Sequence, residues 1–108
     1  MSPEASELVL YTDNEEPLYR QKMLIFRALA KKKDRGHYEP KLAPKAFAAL
    51  LNAAAKKYVR EFGGPGDRWN LLFSPMHRRH AAVHFATEFL DWYEVDYKAS
   101  AKPSTRST

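Results

Sequence analysis

Apolar residues recur at helical spacing along three stretches of this chain. The first carries Leu18, Ile25 and Leu29 on one stripe, widened by Met23, Leu24 and Phe26. The second carries Phe47, Leu50, Leu51, Ala54, Tyr58 and Phe62, with Ala48, Ala55 and Val59 beside them. The third carries Ala82, Phe85, Ala86, Phe89 and Tyr93, broadened by Val83, Leu90 and Trp92. A stripe that returns every three or four residues is the mark of a helix with one face in a core. The pattern therefore predicts an all-α fold, a three-helix bundle, with helices over Glu16–Asp34, 44–62 and 75–97.

The residues between the stripes set the ends. Asp13, Asn14, Glu15, Glu16 and Pro17 offer side-chain acceptors, negative charge and a first-turn proline to a helix start. Lys31, Lys32, Lys33 and Arg35 suit the negative pole of that helix, and Gly36 suits the left-handed position just past it. Pro40 and Pro44 predict a bend or short turn before the second helix. Gly63, Gly64, Pro65 and Gly66 stop it, and Ser74 followed by Pro75 caps the third. Between these, 67–73 reads as a helical turn covering an open end of the core. At the N-terminus, residues 1–7 read as polar and flexible, and Leu8 to Thr12, with β-type composition, as a short extended segment lying on the bundle. Residues 99–108, rich in Ser, Thr, Lys and Pro, read as a disordered tail. One helical domain over 8–98 is expected, without internal repeats.

Composition narrows the class further. At 108 residues there is room for a single core. With no cysteine there are no disulfides, thiolate metal sites or cysteine nucleophiles. Residues 1–16 hold five acids and no basic stretch, unlike a secretion signal, and no run approaches the length of a membrane span. A soluble, cytoplasmic protein without membrane association is expected.

Charge changes the picture more. The net charge is +5, yet 17–60 alone holds twelve bases and two acids. Arg20, Arg27 and Lys31 fall on one line of the first helix, and Lys45, Lys56 and Arg60 extend it from the second. Such a cationic face suits phosphates, with Tyr19, Tyr38 and Trp69 as stacking surfaces. It also suits plain solubility. The third helix reverses the usual polarity, with Arg78 and Arg79 in its first turn and Glu88, Asp91, Glu94 and Asp96 toward its end. If the first and third helices run parallel, Arg78 and Arg79 meet Glu15 and Glu16, and Lys31 to Lys33 meet Asp91 to Asp96. Alternatively, Arg78 and Arg79 at the free helix amides receive a phosphate.

Catalytic chemistry finds little purchase. His77, His80 and His84 share a helical face, but no Cys or HExxH pattern completes a zinc shell. Ser74, directly ahead of a proline-led helix, reads as a cap rather than a nucleophile. Asp91 and Glu94 read as solvated rim, and the glycine-rich stop lacks the lysine and helix of a phosphate loop. No enzyme, cofactor, metal or small-molecule substrate is expected.

Four segments, Leu18-Tyr19-Arg20-Gln21, Gly36-His37-Tyr38-Glu39-Pro40-Lys41-Leu42-Ala43, Ala55-Lys56-Lys57-Tyr58-Val59-Arg60-Glu61-Phe62 and Arg79-His80-Ala81-Ala82, resemble short uncharacterised proteins of bacteriophages and mobile elements. The resemblance spans about residues 8–97 and implies origin and action inside a bacterial cell, not a chemistry. The expectation is a small non-enzymatic basic helical protein that associates with nucleic acid through Arg20, Arg27, Lys31, Lys45, Lys56, Arg60, Arg78 and Arg79. The alternative is a protein-interaction module, such as a phage inhibitor or accessory subunit, working through Tyr19, Trp69 or Trp92.

Overall fold

The computed structural model describes residues 1–63 and 68–100, with only the backbone of Arg68. All of its regular structure among these residues is helical. Four long helices rather than three build the core: α1 (Pro3–Asn14), α2 (Glu16–Asp34), α3 (Ala48–Tyr58) and, after the short α4 (Arg68–Leu72), α5 (Pro75–Trp92). A 3₁₀ turn (Ala43–Phe47) leads into α3, wider π-type turns (Val59–Gly63 and Tyr93–Tyr97) continue α3 and α5, and a last turn, α6, spans Lys98–Ser100.

The largest correction lies at the N-terminus, where the expected flexible 1–7 and extended 8–12 form α1. Ser2 caps it by accepting from the Ala5 amide at 3.2 Å, and Pro3 opens the first turn. Ala5, Leu8, Val9 and Thr12 return at helical spacing and are all buried. The β-branched and aromatic content of 8–12 thus yields to tertiary packing, as weak propensities do. At the other end, Ala99 and Ser100 belong to α6 rather than a tail. The remainder of the expected tail and most of the glycine-rich stop lie outside the described residues.

Both ends of α2 fall where the sequence puts them. Gly36 takes φ +78°, and the His37 and Gly36 amides donate to the Lys32 and Lys33 carbonyls, closing the helix. The buried face of α2, however, is Leu18, Lys22, Phe26, Leu29 and Ala30, whereas Leu24 is 63% exposed. Phe62 likewise leaves the core of the second stretch, at 65% exposed, while Phe47, Leu50, Leu51 and Ala54 fill it. The expected α5 stripe, Ala82, Phe85, Ala86, Phe89 and Tyr93, is buried throughout. Val83 and Leu90 stay on the surface.

Three sets of contacts define the packing. α1 runs parallel to the N-terminal half of α5, with Glu4 beside His77 and Asp13 near Glu88 through Lys22. α2 meets the end of α5 and the turn after it, pairing Phe26 with Phe89 and Asp34 with Tyr93. α3 runs antiparallel to α5, from Phe47 against Phe85 to Tyr58 against Phe73. α1 packs on both α3 and α5, so it fills one of the two crevices that α3 and α5 form. α1, rather than the start of α2, takes the place beside the start of α5 that Glu15 and Glu16 were to occupy. Glu15 pairs instead with Lys57, and Glu16 with Arg20.

Lys22 is the unexpected part of the core. At 2% exposed it places its ammonium 2.7 Å from Asp13 and 3.1 Å from Glu88, joining α1, α2 and α5. The rings of Tyr19, Phe26 and Phe85 surround it at 5.0–5.3 Å. Two carboxylates and three ring faces offset the cost of burying that ammonium. No buried side-chain nitrogen or oxygen among the described residues lacks a hydrogen-bond partner.

Candidate anion-binding groove

The eight cations singled out from sequence do not form one face. Arg20 is spent on an exposed i,i+4 pair with Glu16 at 2.7 Å. Arg27 lines a hollow with Trp92, Asp96 and Tyr97. Lys31 stands exposed near the end of α2, and Arg60 beyond Lys56. Between α2 and α3 lies an uncharged hollow lined by Gln21, Leu24, Ile25, Ala46, Ala49, Leu50 and Ala53. None of the eight cations lines it.

Three of the eight do converge. Lys45, Arg78 and Arg79 line a groove of about 450 Å³, joined by Lys41, which the sequence reading left within a connection. One wall is the chain just before the 3₁₀ turn, the turn itself and the first turns of α3, with Lys41, Lys45 and Asn52. The other is the start of α5, from Pro75 to Val83. Pro44, Ala48, Ala82 and Val83 supply an aliphatic floor. None of the lining residues is acidic, and none of Lys41, Lys45 and Arg79 has an ion-pair partner among the described residues. Pro75 sets the positive pole of α5 at the rim, which adds to the same potential.

Arg78 is held differently. It donates to the Asn70 side-chain oxygen at 3.0 Å and to the Phe73 carbonyl at 2.5 Å, tying α4 to α5. Its guanidinium lies 4.8 Å from the Trp69 ring centre, and the Lys56 ammonium 5.0 Å from the same ring. Burial draws the Arg78 guanidinium below its ordinary pKa, although an arginine stays protonated at any physiological pH. Trp69 is thus engaged by two cations of its own chain, which leaves little of it for a stacked base. Tyr38 carries the Lys33 ammonium at 5.2 Å, and Tyr19 packs on Lys22.

The reversed charges of α5 are met otherwise than expected. Among the described residues no ion pair joins Lys31, Lys32 or Lys33 to Asp91, Glu94 or Asp96. Asp34 accepts from the hydroxyls of Tyr93 and Tyr97, and Lys33 lies 5.2 Å from the Tyr93 ring centre. The Asp34 hydrogen bond, followed by burial, raises the Tyr93 pKa to about 12. Burial first, then the hydrogen bond to Glu61, raises Tyr11 further.

Ser74 and His77 are committed to a cap. The Ser74 oxygen accepts from the His77 amide at 3.4 Å, and the His77 Nδ1 accepts from the Ser74 amide at 3.3 Å. This reciprocal arrangement closes the N-terminus of α5. The imidazole therefore faces a backbone amide and, 3.7 Å away, Glu4, not the serine oxygen. His80 and His84 point to solvent. No three His, Cys, Asp or Glu among the described residues gather as a metal site.

Compared with family models, with curated proteins and with solved structures, the chain matches none.

Proposed function

We propose that this chain is a non-enzymatic binding protein whose working surface is the groove between α3 and α5 and whose partner carries negative charge. One observation carries the reading: Lys41, Lys45, Arg78 and Arg79 converge around one concave surface that no acid lines. Like charges gathered without counter-charge repel one another, and an anionic partner relieves that repulsion.

Two partner classes fit this chemistry. Nucleic acid, the first expectation from sequence, is supported by Lys56 of α3 and Arg60 of the turn after it, which continue the cationic character beyond Asn52. A protein segment is supported by the aliphatic floor, which offers nothing to a phosphate. The resemblance to bacteriophage and mobile-element proteins supports a partner inside a bacterial cell.

The test is a panel of labelled probes, single-stranded DNA, duplex DNA, RNA and polyglutamate, titrated at low and then rising salt. At least one probe should bind, weaken as salt rises, and be lost in the Lys45→Glu/Arg79→Glu variant. Both replaced side chains are exposed and unpaired, so the variant should melt as the parent does. Absence of binding by all four at low salt overturns the reading.

A further inference from the structure

We infer that the groove receives an acidic amphipathic helix of a partner protein, an inference that rests on the anionic-partner reading above and names its occupant. The α3–α5 pair has two crevices, and the molecule shows what occupies one of them. There lies α1, a helix of three turns that carries Glu4, Glu7 and Asp13 and no base, and that buries Ala5, Leu8, Val9 and Thr12. The opposite crevice is the groove. Its floor includes the small residues Ala48 and Ala82, and no residue of α1 lines it.

The walls fix the occupant's character. From Pro75 to Val83 the α5 wall runs about 12 Å, the rise of two helical turns. Val83, 48% exposed, presents an apolar side chain to the opening between the cations. A helix lying there would set apolar residues at i, i+3 and i+7 on Ala48, Ala82 and Val83. Its flanking carboxylates would then reach Lys41 and Lys45 on one side and Arg79 on the other. A nucleic acid would use the cations but leave the aliphatic floor uncovered, and Trp69, beside Arg78, is already engaged by Lys56 and Arg78. The floor and the charges together therefore favour the peptide.

Two synthetic peptides of about 14 residues decide it, both rich in Glu and of identical composition. One places leucines at i, i+3 and i+7, and the other scatters them around the helix. The patterned peptide should bind the full chain at least about tenfold more tightly than the scattered one. Val83→Asp should remove that preference, and Lys45→Glu/Arg79→Glu should abolish binding of both. Val83 is exposed, so circular dichroism should show Val83→Asp folded as the parent. Equal binding of the two peptides overturns the inference, because charge alone would then explain it. So does tight binding of nucleic acid with neither peptide bound, although the anionic-partner reading survives both results. Failure of the peptides and of every nucleic acid and polyglutamate probe overturns both.

Discussion

Lys22 shows how far one side chain departs from its sequence-level description. It belongs to the basic surplus of 17–60, and although it falls on the Leu18, Ile25 and Leu29 stripe, its charge reads as surface. It is buried because Asp13 arrives from α1 and Glu88 from α5, two partners that only the tertiary fold brings together. The two carboxylates keep about a third of their surface in water, so the environments are unequal. Removing both acids, in Asp13→Asn/Glu88→Gln, strands a buried ammonium and should cost about 3 kcal/mol in urea unfolding. Lys22→Met should cost clearly less, since the carboxylates it strands can hydrate. A larger loss in Lys22→Met would mean that the ammonium anchors the core beyond its two ion pairs.

The hydrogen-bonded tyrosines give the stability a pH dependence of definite sign. Tyr93 keeps its proton to about pH 12 in the folded state, against about 10 in an unfolded chain. The folded protein therefore holds more protons over that interval, and stability falls as pH rises. The contribution is complete below about pH 10 and is lost as the folded value is passed. Tyr11, raised further by burial and Glu61, acts in the same direction. Denaturant titrations from pH 9 to 12 should show a steeper loss in the parent than in Tyr93→Phe. Equal slopes would remove the Asp34 hydrogen bond as the cause.

At the scale of elements, α1 separates what the sequence states from what it conceals. α2 was legible because both of its ends carry strong signals and its apolar residues outnumber its propensity conflicts. α5 was legible for the same reason, and Ser74 and Pro75 open it as Ser2 and Pro3 open α1. The difference is that Leu8 to Tyr11 form a continuous apolar run, which hides the helical return of Ala5, Leu8, Val9 and Thr12. If α1 is a docked helix, Leu8→Ala empties a fully buried site and should cost about 2–5 kcal/mol by thermal or urea unfolding. A loss under about 0.5 kcal/mol, the range of a surface substitution, would favour instead the flexible 1–7 and extended 8–12 that the sequence suggests.

The groove was half legible for a related reason. Lys45, Arg78 and Arg79 could be named from their excess charge. Their convergence could not, because it depends on α3 running antiparallel to α5 and on the 3₁₀ turn that brings Lys41 to the rim. Arg20, Arg27 and Lys31 share a line on their own helix. The periodicity of one helix says nothing of the uncharged hollow between α2 and α3, which none of them lines.

On the scale of the whole molecule, the four long helices leave one α3–α5 crevice filled by α1 and the other open and cationic. The central claim is that an anion is received there and not on α2. Backbone amide NMR spectra recorded during a polyglutamate titration at low salt test this most directly. Shift changes should concentrate at 41–52 and 75–83 and disappear in Lys45→Glu/Arg79→Glu. Changes centred on 20–31, or spread evenly over every exposed lysine and arginine, would contradict it.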